Sequence, residues 1–183
     1  KDKDAVIAYM RRTAPTTGPT DGDLLAVTVN AAGTVSAPVV IDTNGDTGFF
    51  PDVKIEPQSK SIGIGYHDFS SKAFKFFDGQ YTVLGFSGPA YEDLANGIES
   101  STQVQGISDN PVIVGYTTPI APGVTGAWID TGSGPVEVGL TGPDYQTPEG
   151  NMLSFIFDVS DNGIAYGTST KFRGVESNIG LNV

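Results

Sequence analysis

Ile107-Ser108-Asp109-Asn110-Pro111-Val112-Ile113-Val114-Gly115-Tyr116 is answered further along the chain by Val159-Ser160-Asp161-Asn162-Gly163-Ile164-Ala165-Tyr166. The shared ending is an apolar residue, then Gly or Ala, then Tyr. It occurs twice more, as Ile7-Ala8-Tyr9 and Ile64-Gly65-Tyr66. The four tyrosines stand 57, 50 and 50 residues apart. A second marker, Gly-Pro-x-Tyr, keeps nearly the same step at Gly88-Pro89-Ala90-Tyr91 and Gly142-Pro143-Asp144-Tyr145, 54 residues apart. A fixed period of this size is the signature of a supersecondary unit that is copied and stacked.

Around these markers the sequence follows strand grammar. Short alternating or apolar runs are bounded by Gly, Pro, Asn and Asp, and no stretch carries a helical period. In the second unit strands are expected over Asp52–Pro57, Ser61–His67, Lys72–Phe77 and Gln80–Phe86. Turns are expected at Gln58-Ser59-Lys60, Ser70-Ser71 and Asp78-Gly79. Val53 and Ile55 share one face of the first strand, and Ile62, Ile64 and Tyr66 share one face of the second. The third unit reads as Thr102–Ile107, Pro111–Tyr116, Gly126–Asp130 and Pro135–Leu140. The first unit has only Ala5–Met10, Asp23–Val29 and Thr34–Ile41. The fourth has Met152–Val159, Gly163–Thr168 and Phe172–Asn178, with Asn162-Gly163 read as a two-residue hairpin turn.

Four antiparallel strands in about 50 residues is the arithmetic of a propeller blade. The fold expected is therefore all-β: one domain over residues 1–183, a β-propeller or propeller segment of about four blades. The units span roughly 1–48, 49–98, 99–148 and 149–183. The small residue before each Tyr lets neighbouring backbones approach, while the aromatic ring fills the core. Because the first unit lacks an inner strand and the fourth an outer one, a longer parent chain or a protein partner is expected to complete the ring, since open strand edges invite pairing.

Composition narrows the function classes. There are 24 Gly and 12 Pro in 183 residues, which favours turns over long helices. Ten basic against 21 acidic residues leave a net charge of −11, which disfavours nucleic acid as a partner. There is no apolar run long enough to expect a membrane span. The absence of cysteine excludes disulfides and thiolate metal sites.

Few residues suggest chemistry. Asp42-Thr43-Asn44-Gly45-Asp46 sets oxygen ligands at alternate positions, as calcium loops do. Asp42, Asn44 and Asp46 are thus the candidate metal ligands and calcium the one candidate cofactor, although Gly48 and Glu56 fall off the EF-hand spacing. Asp21 and Asp23 form a weaker version. The single histidine, His67, stands beside Asp68 with no nucleophile motif, so the pair is a candidate binding spot. Phe49-Phe50, just before a strand, are candidate partner contacts. Trp128, the only tryptophan, sits in an expected strand and reads as core. No catalytic residue is assigned. Arg11, Arg12 and Arg173 are the only arginines, and a sialidase-like site needs an arginine cluster.

Two stretches carry a family resemblance. Asp42 to Ile55, continuing through Ile62-Gly63-Ile64-Gly65-Tyr66-His67-Asp68-Phe69, resembles a repeat of bacterial extracellular propellers. Pro51-Asp52-Val53 and Gly65-Tyr66-His67-Asp68 hold the motif positions, and His67 replaces the usual aromatic. Ile107 to Tyr116, followed by Ala127-Trp128-Ile129, resembles the HAF-type extracellular repeat, and Val159 to Gly167 matches its first half. The resemblance implies an exported, extracellular or cell-surface propeller acting as a non-enzymatic binding or structural module. The alternative is a carbohydrate-active propeller, either a glycoside hydrolase or a lectin.

Overall fold

The computed structural model describes residues 4–12, 22–56, 61–68, 72–96, 101–110, 112–120, 125–148 and 152–172. They form thirteen strands and one single-turn 3-10 helix, Leu94–Asn96. The strands make four antiparallel sheets in chain order. Sheet 1 holds β1 (Ala5–Arg12), β2 (Gly22–Val29) and β3 (Val39–Asp42). Sheet 2 holds β4 (Thr47–Ile55), β5 (Ile62–Asp68), β6 (Ala73–Phe77) and β7 (Gln80–Leu84). Sheet 3 holds β8 (Ser101–Ile107), β9 (Ile113–Thr118), β10 (Gly126–Asp130) and β11 (Pro135–Val138). Sheet 4 holds β12 (Ser154–Val159) and β13 (Ala165–Ser169).

Each sheet is a simple meander, and its boundaries follow the sequence units closely. The expected turns at 57–60 and 70–71, and the part of the last expected strand at 173–178, lie outside the described residues. Asp78 and Gly79 both adopt positive φ, 49° and 76°, as a two-residue type I′ hairpin demands. Asn162-Gly163 does not make that turn. Instead Gly163 N–H donates to the Ser160 carbonyl and Ser160 N–H to that of Ile164, with Gly163 at φ 83°. This is a type I turn closed by a left-handed glycine, a longer loop than expected. The third strand of sheet 1 also starts later than expected, at Val39, with only an isolated bridge from Val35 to Val29 before it.

The repeated Ser-Asp-Asn lead-in has a structural reason. Ser160 Oγ accepts the Ile164 N–H at 3.0 Å, and Ser108 Oγ accepts the Val112 N–H at 3.1 Å. Asn30 Oδ1 does the same for Thr34, and Asp68 Oδ1 for Lys72, at other turns. In each case a short polar side chain at the end of a strand closes the turn by binding the backbone four residues on.

The sheets stack in succession. The leading strand of each new sheet (β4, β8, β12) lies across strands of the sheet before it. Three apolar clusters result. Leu24, Ala26, Ile41, Ile64 and Tyr66 join sheets 1 and 2. Ala73, Leu84, Val104, Ile107, Ile113 and Trp128 join sheets 2 and 3. Val114, Ala127, Ile156 and Val159 join sheets 3 and 4.

The motif tyrosines lie on β1, β5, β9 and β13, the second strand of sheets 2, 3 and 4 and the first described strand of sheet 1. They do not all face the same way, which the motif does not disclose. Ile64 and Tyr66 point back to sheet 1, whereas Val114 points forward to sheet 4, where Tyr116 meets Phe155 edge-on at 5.5 Å. The two glycines therefore serve different neighbours. A Cβ on Gly65 would stand 2.7 Å from Val104 of the next sheet, so Gly65 permits sheet-to-sheet approach. A Cβ on Gly115 would stand 2.5 Å from the ring of Trp128, its register partner on β10. Gly115 makes room for an aromatic ring within its own sheet.

Candidate functional site: the leading corner of sheet 2

β4 begins earlier than the sequence pattern suggests, at Thr47 rather than Asp52. Its ladder to β5 slips twice, between Thr47 and Phe49 and between Phe49 and Asp52, and these bulges hide the period-2 signal. They also gather the residues singled out by sequence. Thr47 pairs with Asp68 and Phe49 with His67. Immediately before β4 runs the loop of Asp42, Asn44 and Asp46. The candidate binding and metal residues thus share one corner.

Phe50 is the most unusual residue there. Its backbone sits at φ 47°, in the left-handed region that bulky side chains avoid, and its side chain is 79% exposed. Its ring centroid lies 5.9 Å from that of His67, tilted by 55°. His67 itself is buried. Its Nε2 accepts the backbone N–H of Val104 at 2.9 Å, linking sheet 2 to β8. An accepting Nε2 requires the neutral ring protonated on Nδ1. Burial, opposed by the nearby Asp68 charge, holds its pKa below the ordinary histidine value. Asp52 makes a parallel link, its Oδ2 accepting the Ile107 N–H at 3.0 Å, and burial pushes its carboxyl above the usual range.

The Asp42 carboxylate is committed to the protein. Oδ2 accepts the Tyr66 hydroxyl at 2.7 Å and the Thr47 hydroxyl at 3.4 Å, and Oδ1 accepts the Asn44 N–H at 2.9 Å. Burial, with this hydrogen bond to Asp42, raises the Tyr66 pKa far above that of a free phenol. Asn44 is exposed. Asp46 is only 7% exposed, and both of its oxygens lack a hydrogen-bond partner. A Cβ on Gly22 would fall 2.2 Å from Asp46 Oδ1, so the missing side chain at Gly22 is what admits the carboxylate. Among the described residues no group of three or more His, Asp or Glu side chains is placed to hold a metal ion.

Sequence reasoning missed the charged contacts between units. Lys54 Nζ on β4 meets Asp161 Oδ1 at 2.6 Å, 107 residues away in the β12–β13 turn, and this bond raises the Lys54 pKa. Lys75 of β6 lies 3.8 Å from the buried Asp130 of β10. Neither pair leaves a local signal, because each joins residues of different sheets. Trp128 is fully buried in the core between sheets 2 and 3, and its Nε1 has no hydrogen-bond partner.

The chemistry available at the corner is that of contact. An aromatic ring stands in solvent, a buried neutral imidazole lies beneath it, and a buried carboxylate lies unpartnered nearby. Comparison with known proteins finds no matching family model, no similar curated protein and no similar solved structure.

Proposed function

We propose that the chain is a segment of a β-propeller that works outside the cell as a non-enzymatic binding or structural module. Phe50 is its contact residue, towards a protein partner or the rest of a longer parent chain. The propeller reading is supported by the succession of meander sheets, by the second strand that carries the motif tyrosine in sheets 2, 3 and 4, and by the Lys54–Asp161 pair, which draws the leading strand of sheet 2 towards the turn of sheet 4. The extracellular setting is supported by the repeat resemblances alone. The observation that carries the binding role is Phe50, a large apolar ring held in solvent on a strained backbone. Strain of this kind costs on the order of 1–3 kcal/mol and persists where surrounding structure or function maintains it.

Phe50→Gly tests the role. Glycine relieves the left-handed strain and removes little buried surface, so the melting temperature is expected to stay level or rise by a few degrees. A loss of more than about 1 kcal/mol in urea unfolding would show that Phe50 serves the fold instead. A glycan array and a hydrolase panel separate this reading from its rival. Tight sugar binding, or turnover abolished by changing one carboxylate, assigns the chain to carbohydrate chemistry.

Asp46 supports a second, smaller reading, in which calcium sits at the Asp42–Thr47 loop. An unpaired buried carboxylate is costly, and a hard cation would balance it. Added calcium is then expected to raise the melting temperature, and Asp46→Asn to remove the gain. Unchanged melting in calcium sinks this reading and leaves the first intact.

A further inference from the structure

The last strands of sheets 1, 2 and 3 differ in how they close the sheet edge. β3 follows Pro38 and ends at Asp42, and β11 begins at Pro135 and carries Glu137. Proline and charge on an edge strand discourage a further strand from pairing. β7, Gln80-Tyr81-Thr82-Val83-Leu84, has neither. It pairs only with β6 among the described residues, and Gln80, Tyr81, Thr82 and Val83 are all exposed.

The hairpin fixes what this edge offers. Phe77 and Gln80 flank the two-residue Asp78-Gly79 turn and exchange both ladder hydrogen bonds. Lys75 with Thr82 and Ala73 with Leu84 follow the same alternation, so Tyr81 and Val83 turn their N–H and C=O groups outwards. Their side chains share the face that packs on sheet 1. That face is apolar: Ile64 and Tyr66 are fully buried, Phe74 and Phe76 partly so, and Tyr81 and Val83 are 52% and 63% exposed. Near the start of β7 a groove of about 300 Å³ opens between sheets 1 and 2. Its walls include Ala26, Val39, Ile41, Ile62 and Phe76, and the exposed Asp78 also lines it. Burial, helped by the charge of Asp42, raises the Tyr81 pKa, so a second carboxylate acts on this face.

We infer that the β7 edge receives an extended, cationic segment of a partner protein by strand addition, with its inward side chains laid beside Tyr81 and Val83. An unblunted edge is either covered by a partner or pairs with its like. The charge of −11 on each copy disfavours a second copy and favours a cationic segment, and Asp78 and Asp42 bring that preference to the site itself. The added strand gains main-chain hydrogen bonds from Tyr81 and Val83, and its alternate side chains set the register. The site lies at the opposite edge of sheet 2 from Phe50 of β4. It is a second contact and does not rest on the role of Phe50.

The probe is a short fluorescent peptide that alternates valine with threonine and carries an arginine at each end. Its anisotropy is expected to rise with added protein, and less steeply as salt is raised. Amide exchange at Tyr81 and Val83 is expected to be fast in the free chain and about tenfold slower or more with the peptide bound. Val83→Pro removes an outward N–H and leaves the β6–β7 ladder bonded, so it should weaken binding about tenfold or more with the melting curve intact. The exchange measurement on the native chain decides the matter if that variant does not fold. Phe50→Gly should leave binding unchanged, and an equal loss there would place the peptide at Phe50 and overturn the edge. A peptide that fails to slow exchange at Tyr81 and Val83 overturns the inference, as does equal binding of a peptide with glutamate at each end. So does protection of those amides in the free chain. Protection that grows with concentration assigns the edge to a second copy, and protection at every dilution assigns it to the chain itself.

Discussion

Sheets 2 and 3 lie inside the stack and sheets 1 and 4 at its ends, and the same motif fares differently in the two places. Ile64 and Val114 are fully buried, while Ile7 is 50% and Ile164 65% exposed. Tyr66 is buried to the hydroxyl, and Tyr166 is 57% exposed. Ile7 points backwards as Ile64 does, but no sheet precedes it among the described residues. Ile164 points forwards as Val114 does, and no sheet follows it among the described residues. The lesson is that a repeat motif specifies a strand and its alternation, whereas burial is granted by the neighbour.

The largest expected effect tests that contrast directly. Ile64→Ala should cost about 2–5 kcal/mol in urea unfolding, the usual range for emptying a packed core site. Ile164→Ala, at the matching motif position, should stay within about 0.5 kcal/mol. Equal losses would break the comparison, because they would mean that the end sheets are as covered as the inner ones.

A middle-sized effect sharpens it. Gly115→Ala forces a Cβ against the Trp128 ring and the Gln103 carbonyl, and overpacking of this kind costs about 1–3 kcal/mol. Sheet 4 already carries Ala165 at that place in the motif. Ala165→Gly there should cost no more than about 1 kcal/mol, the backbone entropy of glycine. Chemical unfolding of the two variants is the measurement.

The smallest effect concerns the joint between sheets 2 and 3. His67 accepts the Val104 N–H only when neutral, and its folded-state pKa lies below the ordinary value of 6.5. The unfolded chain therefore takes up a proton first as the pH falls. Stability from this residue is complete above pH 6.5 and drains away as the pH falls from there through the folded-state value. Asp52 shifts in the opposite sense, so the measurement is the difference between the native chain and His67→Gln. A glutamine oxygen can keep the hydrogen bond without titrating. If the two stability curves run parallel from pH 7.5 to pH 5, roughly one unit either side of the histidine range, the histidine link plays no part.

Much of this architecture was legible in the residues, and the misses have identifiable causes. Strand grammar located the sheets to within a few residues wherever apolar and polar positions alternate, as in Ile62–Asp68. It failed at the start of β4, where two bulges and the left-handed Phe50 break the alternation. Asp78-Gly79 was read correctly because both residues tolerate positive φ. Asn162-Gly163 was misread because Ser160 offers its hydroxyl and carbonyl to a longer turn. At the candidate site, the spacing of Asp42, Asn44 and Asp46 suggests a shared ligand, but Tyr66 and Thr47 claim the Asp42 carboxylate, Asn44 is exposed, and Asp46 is buried with no hydrogen-bond partner.

The amino-acid order by itself determined an all-β chain, its division into four units and the strand on which each motif tyrosine falls, because alternation and turn chemistry act over a few neighbouring residues. Tertiary structure alone decided which face of each strand is covered, which glycine yields to a neighbouring sheet and which to a ring, and where Asp42 and His67 spend their hydrogen bonds. Those outcomes depend on partners dozens of residues away, and the local pattern holds no record of them.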